Sequence, residues 1–186
     1  VPGYREEPGV DPASATETYA AMQLNVDTWR WQGVPFLVRT GKRMARKLSQ
    51  IAVVFRRAPV CFFQPFAGCR PRPNVLFITI QPDESFTLSF DVKKPGEPLQ
   101  LDPQRLRFDY LEAYGAFPDA YETLLLDVIT GDQTLFIHAD EAEAAWRICD
   151  GVLEAAGEPL PYEAGSWGPA AAETLAAREG AGWVLR

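Results

Sequence analysis

The chain has 186 residues, 47% of them hydrophobic and 23% charged, with 18 Lys and Arg set against 25 Asp and Glu for a net charge of −7. This balance excludes a disordered polyelectrolyte and describes an acidic globule, long enough to bury roughly 70% of its unfolded surface without disulfides or metals. Cys61, Cys69 and Cys149 stand at unpatterned spacing, which argues against a disulfide framework or a structural zinc site. That cysteine usage fits a reducing, cytoplasmic setting, and no signal peptide or stretch approaching the roughly 20 apolar residues of a membrane span is visible.

The chain opens on turn chemistry, Val1-Pro2-Gly3-Tyr4-Arg5-Glu6-Glu7-Pro8, with no initiator methionine, as though cut from something longer. Met22, Leu24 and Val26 then alternate with Gln23, Asn25 and Asp27, the period-two pattern of a strand with one buried face. Val34–Arg39, Ile51–Phe55, Val75–Ile80, Phe86–Val92 and Arg105–Tyr110 are further strands, each short, rich in β-branched or aromatic residues and bounded by turn formers. The period changes afterwards. Asp119 with Glu122 reads as a capping box opening a helix that carries Tyr121, Leu124, Leu125 and Val128 on one face and closes at Gly131. Asp140 with Glu143 opens a second helix, with Ala142, Ala145, Trp146, Cys149, Val152 and Leu153 on its apolar side and a stop near Gly157. A third is expected from Pro169 to Glu179. Strands first and helices after predict an α+β fold: a large, mostly antiparallel sheet with helices packed on one face, in a single domain over residues 1–186.

Charge is unevenly spread. From Thr28 to Pro82 there are ten cations and no acid, so that district carries +10 and the remainder −17. Its densest part, Arg39-Thr40-Gly41-Lys42-Arg43-Met44-Ala45-Arg46-Lys47, places five positive charges in nine residues at the end of a predicted strand. Backbone N–H groups near Gly41 and the Lys ammonium groups suit a phosphate or sugar hydroxyl, while a solvated basic turn is the plainer alternative. The spacing is wrong for a Walker A loop and no G-x-G-x-x-G occurs, so no dinucleotide fold is visible. His138, the only histidine, lies at a helix entry without a paired nucleophile and reads as a surface or capping residue. Asp119/Glu122 and Asp140/Glu143 are explained by capping, and Trp29, Trp31, Tyr110, Trp146 and Trp167 read as core or interface anchors.

The phrase Trp29-Arg30-Trp31-Gln32-Gly33-Val34-Pro35-Phe36-Leu37-Val38-Arg39-Thr40-Gly41-Lys42 resembles a signature of the glucose-6-phosphate dehydrogenase family. Gln81-Pro82-Asp83-Glu84 with Lys93-Lys94-Pro95-Gly96, Pro118-Asp119-Ala120-Tyr121-Glu122 through Gly131-Asp132-Gln133, and Tyr162-Glu163-Ala164-Gly165-Ser166-Trp167-Gly168-Pro169 resemble later stations of that family's C-terminal domain, in order. The resemblance implies a C-terminal domain with a mostly antiparallel sheet through which subunits form a homodimer. It implies that Lys42, Lys47 and, with less support, Gln81 contact glucose 6-phosphate. It also implies that the catalytic base, the NADP site and the N-terminal dinucleotide-binding domain lie outside this chain, so that no catalytic, cofactor-binding or metal-binding residue is assigned here and the chain alone is expected to be inactive. The whole enzyme would oxidise glucose 6-phosphate to 6-phosphogluconolactone, the first step of the pentose phosphate pathway.

A structural NADP, bound on this domain by animal members, is not expected. Leu48, Ala52, Thr79, Thr87 and Ser89 stand where its basic and aromatic contacts would be, and only Arg39 and Asp119 remain. Two other classes stay in view: a non-catalytic oligomerisation module with an incidental basic turn, and a nucleic-acid binder, opposed by the acidic surroundings and the lack of an RNA-binding signature.

Overall fold

The structure is a computed structural model, which describes residues 3–57, 59, 72–97, 100–116, 120–178 and 182–185. Among the described residues, a 3-10 turn at Tyr4–Glu6 is followed by six strands, β1 (Tyr19–Leu24), β2 (Phe36–Gly41), β3 (Ser49–Val54), β4 (Val75–Gln81), β5 (Ser85–Lys93) and β6 (Leu101–Asp109). Four helices follow, α1 (Tyr110–Tyr114), α2 (Ala120–Thr130), α3 (Ala139–Ala155) and α4 (Ala170–Arg178). Every strand pairing among the described residues is antiparallel, so the α+β expectation holds, with the strands divided between a two-stranded sheet β1-β2 and a four-stranded sheet β3-β4-β5-β6. Beyond Gly41 the backbone of Arg43 and Ala45 hydrogen-bonds to Gly165 and Ser166.

The chain forms two compact units, residues 1–46 with 124–183 and residues 47–123 with 184–186. In the first, α4 packs on β1 through the buried Ala172 and Ala176, small enough for close approach of helix and sheet. Trp183 donates its indole N–H to Ala172 O at 3.0 Å. Among the described residues, α4 on β1 is the helix–sheet packing that contains buried residues. No residue of α2 or α3 is buried, and the apolar side predicted for α3 stands open, with Trp146 67% exposed.

In the second unit the strand register sets two faces. Ile51, Ile78, Phe86 and Phe108 line up across the four strands, as do Val53, Leu76, Leu88 and Leu106. The alternate rows hold Ala52, Phe77, Thr87 and Arg107, then Gln50, Thr79, Ser85 and Asp109. The buried residues are Phe77, Thr79, Ser85 and Thr87, while Ile51, Phe86, Leu106 and Phe108 are exposed. The small, mostly polar face is therefore the covered one and the apolar face is the wet one, the reverse of the usual alternation in a half-buried antiparallel sheet.

Several helix boundaries differ from those expected. Asp109 caps α1 by accepting from the Glu112 N–H at 3.3 Å, so the segment read as the end of a strand turns into a helix at Tyr110. Asp140 does not cap α3; His138 occupies the cap position without a side-chain hydrogen bond, and Asp140 accepts from Glu141 N–H inside the first turn. Gly131 does end α2 with a left-handed φ of 75°. Asp119, Cys61, Cys69 and Glu179 lie outside the described residues.

Candidate functional site

The basic turn leaves β2 at Gly41, and its shape follows from what packs on it. Gly41 has no left-handed φ; its missing side chain makes room for the Tyr19 ring, which a Cβ there would meet at 2.7 Å. The left-handed residue is Arg43, at φ 49°, a conformation uncommon outside glycine. Lys42 is fixed by its backbone: its N–H donates to Thr18 O at 2.8 Å and its carbonyl accepts from the Tyr162 hydroxyl at 2.8 Å. Arg43 forms an ion pair with Glu7.

Lys42 and Lys47 are both exposed, and neither ammonium is held by a carboxylate or carbonyl among the described residues. They are cations in water, available to an anion. Lys42 belongs to the first compact unit and Lys47 to the second. Ser49 pairs with Gln81 across β3 and β4, so Lys47, two residues before β3, and the exposed Gln81 stand at the same end of that hairpin.

Arg39, on β2, behaves differently. Its side chain is only 8% exposed, and its guanidinium stacks 4.8 Å from the Trp167 ring centre and 4.5 Å from that of Trp183. Its outer nitrogens make no hydrogen bond of good geometry to any described residue, and the Glu173 carboxylate, 3.7 Å away, gives charge balance only. Burial pushes the adjacent Tyr19 phenol above its ordinary pKa, the Arg39 cation offsetting part of that rise. Elsewhere a depression of about 450 Å³ lies between the end of α2 and the start of α3, with His138, Asp127 and Asp132 on its wall. Hydrogen bonds from Thr134 hold the Asp132 carboxyl below the usual carboxylate range. None of the predicted ligand residues lines it.

The family model described as "Glucose-6-phosphate dehydrogenase, C-terminal domain" matches residues 1–184. The chain belongs to the glucose-6-phosphate dehydrogenase family. It is 45% identical over 181 residues to the glucose-6-phosphate 1-dehydrogenase of Treponema pallidum, covering 94% of this chain and 35% of that protein. With the Mycolicibacterium smegmatis enzyme it shares 45% over 188 residues, 98% of this chain and 38% of the relative. Among solved structures, the Mycobacterium avium glucose-6-phosphate 1-dehydrogenase superposes with a TM-score of 0.81 at 33% identity, over 99% of this chain and 39% of that one. A glucose-6-phosphate dehydrogenase in complex with its substrate glucose-6-phosphate gives a TM-score of 0.85 at 28% identity, over 100% and 38%. The chain thus spans little more than a third of the length of the relatives it matches.

Residue types and spacing located the basic turn but not what shapes it. Tyr162, Gly165 and Ser166 hold the turn from more than 100 residues away, and only the phrase Tyr162–Pro169 pointed to that stretch at all.

Proposed function

We propose that this chain is the substrate-binding and dimerising C-terminal part of a cytoplasmic glucose-6-phosphate 1-dehydrogenase, with an N-terminal dinucleotide-binding domain outside it. In that enzyme hydride leaves C1 of glucose 6-phosphate for NADP, giving 6-phosphogluconolactone. The observation that carries the reading is the exposed Lys42, with no ion pair among the described residues, on a turn of fixed backbone, in a chain that matches the family over residues 1–184. Lys42 and Lys47 bind the anionic sugar by charge-assisted hydrogen bonds, and Gln81, at the Lys47 end of its hairpin, adds a neutral one.

The residues described here do not fit the dinucleotide. All their strand pairings are antiparallel, so the crevice at parallel strand ends where such cofactors bind is not built, and the Arg39 guanidinium already lies within 4.8 Å of the Trp167 ring centre and 4.5 Å of that of Trp183. Base and hydride acceptor belong to the rest of the enzyme. The apolar face of the four-stranded sheet supports a homodimer: Ile51, Ile80, Leu106 and Phe108 are 50%, 49%, 64% and 42% exposed on one surface.

The test is Lys42→Ala in the intact enzyme. Loss of one charged hydrogen bond of about 1.5–3 kcal/mol should raise KM for glucose 6-phosphate roughly ten- to hundredfold, with KM for NADP unchanged. An unchanged sugar-phosphate KM would refute the assignment and return the turn to the incidental role it has in an oligomerisation module.

A further inference from the structure

We propose that the loop Tyr162–Gly168 is a strap that sets the conformation of the Lys42 turn, and that Tyr162 is a positioning residue for sugar-phosphate binding. The proposal rests on the reading of Lys42 as a substrate ligand given above. Four observations within one compact unit carry it.

The strap engages the turn at three backbone stations. The Tyr162 hydroxyl lies 2.8 Å from Lys42 O and 2.9 Å from Thr18 O, the Gly165 N–H donates to Arg43 O at 2.8 Å, and the Ala45 N–H donates to Ser166 O at 2.9 Å. Thr18 O also accepts the Lys42 N–H, so both backbone groups of Lys42 are tied into one cluster with the phenol. These contacts bracket Arg43, the one non-glycine residue among those described with a positive φ. Such a conformation persists only where its surroundings over-determine it, and the carbonyls of Lys42 and Arg43 and the N–H of Ala45 are all held by the strap.

The third observation is a shared aromatic wedge. The Tyr19 ring lies 5.3 Å from the Tyr162 ring and fills the space left by two glycines, Gly41 in the turn and Gly168 in the strap, where an added Cβ would meet it at 2.7 and 2.4 Å. Turn and strap are thus built around the same side chain. The fourth is the Trp167 ring of the strap, which faces Arg39 at 4.8 Å and Arg46 at 5.9 Å, cations before and after Lys42 in the chain. The strap reaches the turn backbone through a phenol and peptide groups, and none of these contacts uses the Lys42 ammonium. A single backbone-directed hydroxyl steers the Cα of Lys42 and not its ammonium, so its effect on binding is smaller than that of Lys42 itself.

The experiment is a double-mutant cycle in the intact enzyme, with Tyr162→Phe, Lys42→Ala and both together, reading KM for glucose 6-phosphate, KM for NADP and kcat. Tyr162→Phe removes one neutral hydrogen bond and should raise the sugar-phosphate KM about three- to tenfold, leaving the NADP KM and kcat in place. In the Lys42→Ala background the same change should have no further effect, because it acts through Lys42. If Lys42→Ala alone leaves KM unchanged, the substrate reading fails. If Lys42→Ala raises KM but Tyr162→Phe does not, or if Tyr162→Phe costs the same in both backgrounds, the positioning role is overturned. Hydrogen exchange on the unsubstituted protein is the independent check: the Lys42, Ala45 and Gly165 amides should be protected together, and free exchange at all three would show that no strap exists.

Discussion

Replacing Leu106 by alanine tests the assignment of the apolar sheet face as the dimer interface. Leu106 is 64% exposed and sits in a cross-strand row with Leu88, Leu76 and Val53. Full burial of a leucine side chain stabilises by about 1.5–3 kcal/mol, so covering the exposed two-thirds is worth about 1–2 kcal/mol. A two-fold interface contains the residue twice, which makes about 2–4 kcal/mol per dimer, or a thirtyfold to several-hundredfold rise in the dissociation constant. Sedimentation equilibrium over a concentration series reads that constant. Leu160→Ala, at a loop leucine 57% exposed, is the control for loss of apolar surface as such. Equal dissociation constants for the parent, Leu106→Ala and Leu160→Ala would refute the interface and leave the exposed face without a partner.

Two further outcomes follow from local geometry. Burial raises the Asp91 carboxyl, but the Arg72 backbone N–H and guanidinium outweigh it and hold it below the ordinary range. A depressed folded pKa contributes stability that is fully present above the ordinary Asp value of about 3.9 and is lost as pH falls through the folded value. Asp91→Asn should therefore destabilise by about 1 kcal/mol at pH 7, the gap to the parent narrowing as pH falls below the ordinary Asp value and through the folded one, as thermal melts over an acid pH series would show. A gap that stays constant would remove the ion pair from the account. Gly168→Ala meets both a φ of 108° and the Tyr19 ring at 2.4 Å, and should cost about 2 kcal/mol or more. Gly131→Ala, with a φ of 75° and open space, should cost only its backbone strain, about 1 kcal/mol; equal costs in denaturant titrations would mean that Tyr19 does not pack as described.

What the sequence made legible, and what it hid, divides along the range of the forces involved. Strand periodicity is local, and all six predicted segments overlap observed strands to within a few residues at each end, Val26 and Tyr110 falling just beyond the ends of β1 and β6. The capping signal is local too, yet Asp109-x-x-Glu112 caps α1 directly after a strand, where the strand pattern masks it, and the cap expected at Asp140 falls at His138. Burial is not local. Alternation shows that Ile78 and Thr79 face opposite ways, but not which face the rest of the protein covers, and here Thr79, Ser85 and Thr87 are covered while Ile51 and Leu106 are wet. The same limit applies to the basic turn. Its charges were plain in the sequence, since five cations in nine residues need no fold to be noticed. Its shape depends on a phenol 120 residues further along the chain and on an aromatic ring fitted against Gly41, and neither leaves a periodic or compositional trace. The glycine was read as room for a ligand, but Tyr19 occupies that room. Tyr19 and the strap shape the turn, while Lys42, with no ion pair among the described residues and outside that packing, keeps the charge that the proposed sugar-phosphate binding requires.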